Sequence, residues 1–180
     1  CRPVWRMDAR RTESLWSQSS ARAGPGPRMG ERWPLSRSGQ MRWAAGRALH
    51  PASGVMSRET GHRRPYGRSP YGDYAFNRKL LFPLDQDRRY HPKMPTLGLR
   101  VPGGGSRAYP ASEIASVGGS VEEHFLGQKV RITYDPDRQL FGVEAPPEFE
   151  VVEGFWFAWS AFHPNTSVFT AAGVSNQQRR

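Results

Sequence analysis

Cysteine is all but missing from this chain: the one thiol, Cys1, is the first of 180 residues, so neither a disulfide nor a CxxC pair can form within it. Lysine is nearly as scarce, with Lys79, Lys93 and Lys129 set against 23 arginines. Long apolar runs are missing too. The densest aromatic cluster, Phe155 to Phe162, falls far short of the ~20 residues that span a bilayer. No GxSxG, HExxH, EF-hand or GK[ST] pattern occurs, which removes the sequence grounds for a serine hydrolase, a zinc peptidase, a calcium loop or a phosphate-binding loop. The chain opens without Met and without a charged-then-apolar leader, and reads as a fragment rather than as a lipoprotein acylated on Cys1.

Charge of one sign is plentiful but confined. The net charge is +10; residues 1–68 hold 14 arginines against 4 acids, and residues 69–180 hold 12 basic and 12 acidic residues. The arginines stand singly or in pairs such as Arg10-Arg11 and Arg63-Arg64, with no basic helix, zinc-ligand spacing or recognition signature around them. Such charge licenses only weak, salt-sensitive association, so no specific nucleic-acid partner is expected.

What the chain does contain is aromatic bulk, six Trp, nine Phe and six Tyr, enough for one good core or two modest ones. Gly and Pro together make 35 residues, favouring short elements joined by turns. One unit is written twice. Trp43 precedes His50-Pro51 by seven residues, Trp156 precedes His163-Pro164 by seven, and Ala52-Ser53-Gly54-Val55 runs parallel to Asn165-Thr166-Ser167-Val168.

Element signals follow this division. Met7 to Gln18 reads as two short strands about an Asp-led turn, with Leu15 and Trp16 anchoring the second. Gln40 to Leu49 predicts a short helix stopped by His50-Pro51, and Gly154 to Phe162 predicts its counterpart, each Trp being the core anchor of its helix. Thr96 to Val101 alternates as a strand, turns at Pro102-Gly103-Gly104-Gly105 and returns through Ser106 to Pro110. Ala111 to Val117 predicts a helical turn, Val121 to Phe125 an extended piece, and Lys129 to Pro136 with Leu140 to Val143 a further hairpin.

Chemistry has few candidate positions. Tyr66, Tyr71 and Tyr74, beside Arg63, Arg64 and Arg68, offer stacking and cation–π faces for a planar or sugar-like ligand; their Pro/Gly surroundings fit a linker lying over apolar surface at least as well. Leu80 to Leu84 reads as an apolar segment that docks, and Asp85 to Pro95 as a charged loop. His50, His91 and His163 precede proline and read as turn residues. In Glu122-Glu123-His124 only Glu122 and His124 share a strand face, and two ligands are too few for zinc. No catalytic residue and no metal site are assigned.

Leu15-Trp16-Ser17-Gln18, the Trp43 to His50-Pro51 unit, Tyr66 to Tyr71, Arg107-Ala108-Tyr109-Pro110, and Phe155 to Trp159 with His163-Pro164 occur in an order that resembles the bacterial family known as domain of unknown function 3179. The likeness runs from about residue 7 over nearly the whole chain. It implies a duplicated, strand-rich domain, exported or membrane-anchored, with no assigned reaction. Family members usually carry, upstream of the Leu15 to Gln18 segment, a first Arg-Ala-Tyr-Pro-like hairpin and a Tyr-Cys-Pro-Leu-Cys-Gly type motif in which selenocysteine can occur. Neither is present in this sequence, and Thr133-Tyr134-Asp135-Pro136, at the equivalent place of the second copy, has no thiol.

The expectation is an α+β, mainly β fold of two pseudo-repeats: residues 1–62 the truncated first repeat, 63–95 a Tyr/Pro/Gly connector, 96–172 the second repeat and 173–180 an unstructured tail. Its function reads as a non-catalytic binding or structural module for a small molecule or a protein. Candidate ligand-binding residues are Trp16, Gln18, Tyr66, Tyr71, Tyr74, Arg107, Tyr109 and His163, with the tyrosines and Arg107 lining a cleft between the repeats. The alternative is the C-terminal part of a thiol-redox or metal-dependent protein whose CxxC-like motif precedes residue 1 and is bordered by Trp16, Gln18 or His50.

Overall fold

Every second residue of 96–101 is apolar, and this segment forms a strand in which residues 96–99 are all buried. The computed structural model describes residues 5–7, 14–17, 21–34, 38–81 and 83–173, the first three for their backbone only. Two amino-terminal strands, β1 (Trp5–Met7) and β2 (Leu15–Ser17), pair antiparallel, and β2 pairs with β3 (Arg22–Ala23). A helix, α1 (Trp43–Leu49), follows, and then the connector. The hairpin β4 (Pro95–Arg100) and β5 (Ser106–Pro110) leads into α2 (Ala111–Ser116). Next comes an antiparallel meander of β6 (Ser120–Phe125), β7 (Gln128–Asp135) and β8 (Leu140–Glu144). The chain closes with β9 (Glu150–Phe155), α3 (Trp156–Phe162) and β10 (Ser167–Val168). The architecture is α+β and mainly β.

In the central sheet, ordered β10-β5-β4-β9, β4 is interior and both of its faces are covered. Leu97 and Leu99 enter a core with Tyr109, Ile114, Val130 and Ile132, which joins this sheet, α2 and the meander. On the opposite face Gly98 lies between Ala108 and Val152 on the neighbouring strands. These small side chains leave a notch filled by Trp159 of α3: a Cβ on Gly98 would stand 2.2 Å from the indole. Trp156 packs beside it, edge-on to Tyr90 at 5.2 Å, beneath the Arg89 guanidinium, and donating Nε1–H to the Asp87 carbonyl at 3.0 Å. The meander's first hairpin closes through Leu126-Gly127, both at positive φ, the geometry of a two-residue turn matched to strand twist.

The two Trp-to-His units form matching local structures. Each is a seven-residue helix beginning at its Trp and ending on a His of nearly the same backbone angles, −133°/73° at His50 and −131°/66° at His163. Their packing differs. Trp156 is fully buried, but Trp43 is 49% exposed and α1 buries no residue, so Trp43 is not the core anchor expected of it. The place of Trp159 in α3 is taken in α1 by Gly46, which has no side chain to wedge into a sheet. Both helices also start later than the sequence predicts, at Trp43 and Trp156; in the second, Gly154 and Phe155 are taken up by β9, where they pair with Thr96 and Pro95 of β4.

The connector lies on the surface as a series of turns. Leu81, part of the segment expected to dock, is 59% exposed, and among the described residues of that segment Leu80 and Leu84 turn partly inward. Lys93 instead fastens this stretch. Its buried ammonium donates to the Asn77 carbonyl at 2.6 Å and to the Lys79 carbonyl, and lies 4.0 Å from the Tyr74 ring centre.

Candidate functional site

The amino-terminal sheet and the carboxy-terminal strand–helix unit meet along one seam. The Arg32 guanidinium donates to Glu150 of β9 at 3.4 Å, and the backbone N–H of Gln40 donates to the Glu153 carboxylate at 3.3 Å. Trp16 is buried in the small sheet and stacks on Trp33 with ring centres 4.2 Å apart and planes within 8°. Trp33 is thereby held flat with an open face, being 42% exposed. The Trp16 indole Nε1–H is buried with no acceptor among the described residues.

Between these elements lies a cavity of about 440 Å³, walled by Trp33, Gln40, Glu153, Trp159, Phe162 and His163 among others. That volume suits a small organic molecule, and apolar walls with a few convergent polar groups are the usual make-up of such sites. Burial holds the Glu153 carboxyl above its usual pKa of 4.5, with the Gln40 N–H opposing the shift. Burial also pulls His163 below its usual 6.5, and the positive charge of Arg100 adds to this. His163 is therefore a neutral imidazole at pH 7, offering one donor and one acceptor. Its ring packs against Trp159, 4.1 Å between centres.

A second hollow of about 290 Å³ adjoins the first, with His163 common to both walls. Its character is cationic: Arg22, Arg32 and Arg100 line it, together with the Gly103-Gly104 turn of the β4–β5 hairpin, where Gly103 adopts a φ of 76°. Glu150 takes the Arg100 Nε at 2.6 Å as well as Arg32.

The family model for proteins of unknown function DUF3179 matches residues 7–146, well over half of the chain. The chain belongs to the DUF3179 family. No curated protein and no solved structure matches it. The DUF3179 match takes in β2 through β8, while β9 and α3, which wall half of the cavity, follow it in sequence.

Of the residues singled out from sequence, His163 lines the cavity and Trp16 backs Trp33, while Gln18 lies outside the described residues. Tyr66, Tyr71 and Tyr74 sit on the connector. Tyr66 shares a hydrogen bond with Thr60, and Tyr71 and Tyr74 lie 6.3 Å apart, tilted. Tyr109 cannot line a cleft, because it is wholly buried; its hydroxyl donates to Glu123 at 2.7 Å, and desolvation raises its pKa far above the ordinary phenol value. Arg107 grips both oxygens of the same carboxylate, with Nη2 to Oε2 at 2.8 Å, so Arg107, Tyr109 and Glu123 form a clasp between β5 and β6. Glu122 faces the other way and pairs with Lys129 at 2.8 Å, as strand alternation requires. Among the described residues no three potential metal ligands converge, and no helix is long and apolar enough to cross a membrane.

Trp33, Gln40 and Glu153 were not legible as site residues. Trp33 lies in no motif and gains its role by stacking. Glu153 carried a signal, since Glu150-Val151-Val152-Glu153 is a β-branched pair between acids, a strand with one acid facing each way along its pleat.

Proposed function

We propose that this chain is a non-catalytic binding module that holds a small molecule with a planar apolar part in the cavity between Trp33 and the β9–α3 unit. The observation that carries this reading is the pre-set flat face of Trp33, backed by the buried Trp16, opening on a cavity of suitable size. The fixed rings cost little ordering on binding, and Gln40, Glu153 and the neutral His163 supply orientation rather than proton transfer. The stacked Trp pair, the notch under Trp159 and the two ties at Glu150 and Glu153 all hold the walls apart and in register.

Gly154 gives a direct test. It lines the cavity, and a Cβ there would meet no heavy atom within 4 Å. Gly154→Phe should fill the cavity with the fold intact. Titration calorimetry with indole as probe should show binding to the natural chain and at least about tenfold weaker binding to Gly154→Phe, with melting temperatures within a few degrees. Equal binding by both proteins would place the ligand elsewhere and reject the reading.

A further inference from the structure

Arg22 and Arg32 face each other across an antiparallel bridge, two like charges placed directly opposite. Such pairs destabilise a sheet unless an anion lies between or beside them. The neighbouring Glu150 already serves Arg100 at 2.6 Å and reaches Arg32 only at 3.4 Å, and among the described residues no carboxylate pairs with Arg22. Three guanidiniums and one carboxylate thus leave the adjoining hollow with an excess of two positive charges. Gly103 and Gly104 of the hairpin turn line the same hollow and put no side chain into it.

We infer that the arginine-lined hollow takes the anionic group of the ligand, so that the module binds an aromatic or apolar body carrying a carboxylate or phosphate. This rests on the cavity reading above: the body lies against Trp33, and the anion passes His163 into the hollow. Guanidinium forks bind both oxyanions through paired, charge-assisted hydrogen bonds, and lysine, which is not present in either hollow, would bind as a point charge only.

The test compares three probes on the full chain by titration calorimetry: indole, indole-3-acetate and 3-indoxyl phosphate. At least one anionic probe should bind about tenfold or more tighter than indole, with the advantage shrinking as salt is raised. Which anion gains more tells carboxylate from phosphate. In an Arg22→Gln/Arg32→Gln double variant the ratio of anionic to neutral affinity should fall to about one. A single variant, Arg22→Gln, whose side chain is exposed and has no ion pair among the described residues, should lower the ratio partway should the double variant fold poorly. If indole binds and neither anion binds more tightly, the anion assignment is overturned and the cavity reading stands. If no probe binds, both fall.

Discussion

At the scale of single residues, the molecule depends on positions where a side chain is missing as much as on those where one is present. Gly98 is the plainest case, because the Trp159 indole occupies the space a Cβ would need. Gly98→Ala must push the ring out of its notch, and overpacking of this kind costs roughly 1–3 kcal/mol or more; denaturant melts should show that loss, together with a shift in tryptophan fluorescence. Glu153 gives a prediction of a different kind. Its folded pKa lies above 4.5, so the folded state holds its proton more tightly than the unfolded one, and stability falls as pH rises from 4.5 through the folded pKa, then levels off. Glu153→Gln removes the buried charge and should stabilise the protein at pH 7, the gain vanishing in acid where the natural carboxyl is already protonated. His163 acts with the opposite sign. Its folded pKa lies below 6.5, so its contribution to stability is lost as pH falls beneath 6.5. Melts from pH 4 to 8 on the natural chain and on Glu153→Gln separate the two.

At the scale of elements, α1 and α3 share length, starting residue and terminal angles, yet only α3 is packed on a sheet. The likeness is one of local form. Trp156→Ala should cost about 3–5 kcal/mol as a buried large-to-small change, while Trp43→Ala should stay within about 0.5 kcal/mol as a surface change; equal losses would contradict this packing. Most elements from 95 onward were legible because alternation and turn residues agree there: Pro102 to Gly105 punctuates a hairpin, and Val130 and Ile132 alternate with polar neighbours. Strand β9 was hidden because Gly154-Phe155-Trp156 continues it straight into a helix without a turn. The exposure of Trp43 is not legible, because a periodic aromatic reveals a helix but not whether a sheet lies beneath it. The site was harder still. Trp33, Gln40 and Glu153 are brought together by a seam between segments more than 100 residues apart, which no local pattern encodes.

At the scale of the whole molecule, the central claim is that the ligand site is the seam between the amino-terminal sheet and β9–α3, rather than the tyrosine-bearing connector. The two places lie on different elements: one is walled by fixed rings, while the other is a run of exposed turns in which Tyr71 is 63% exposed. The Arg107–Tyr109–Glu123 clasp belongs to neither and holds β5 to β6. Chemical-shift mapping of the isotope-labelled chain during titration with indole distinguishes them in one measurement. The account predicts that the Trp33 indole N–H and the amides of Gly154, Ala158 and His163 move, and that those of Tyr66, Tyr71 and Tyr74 stay in place. Shifts concentrated on the three connector tyrosines, with Gly154 and Ala158 unmoved, would contradict it.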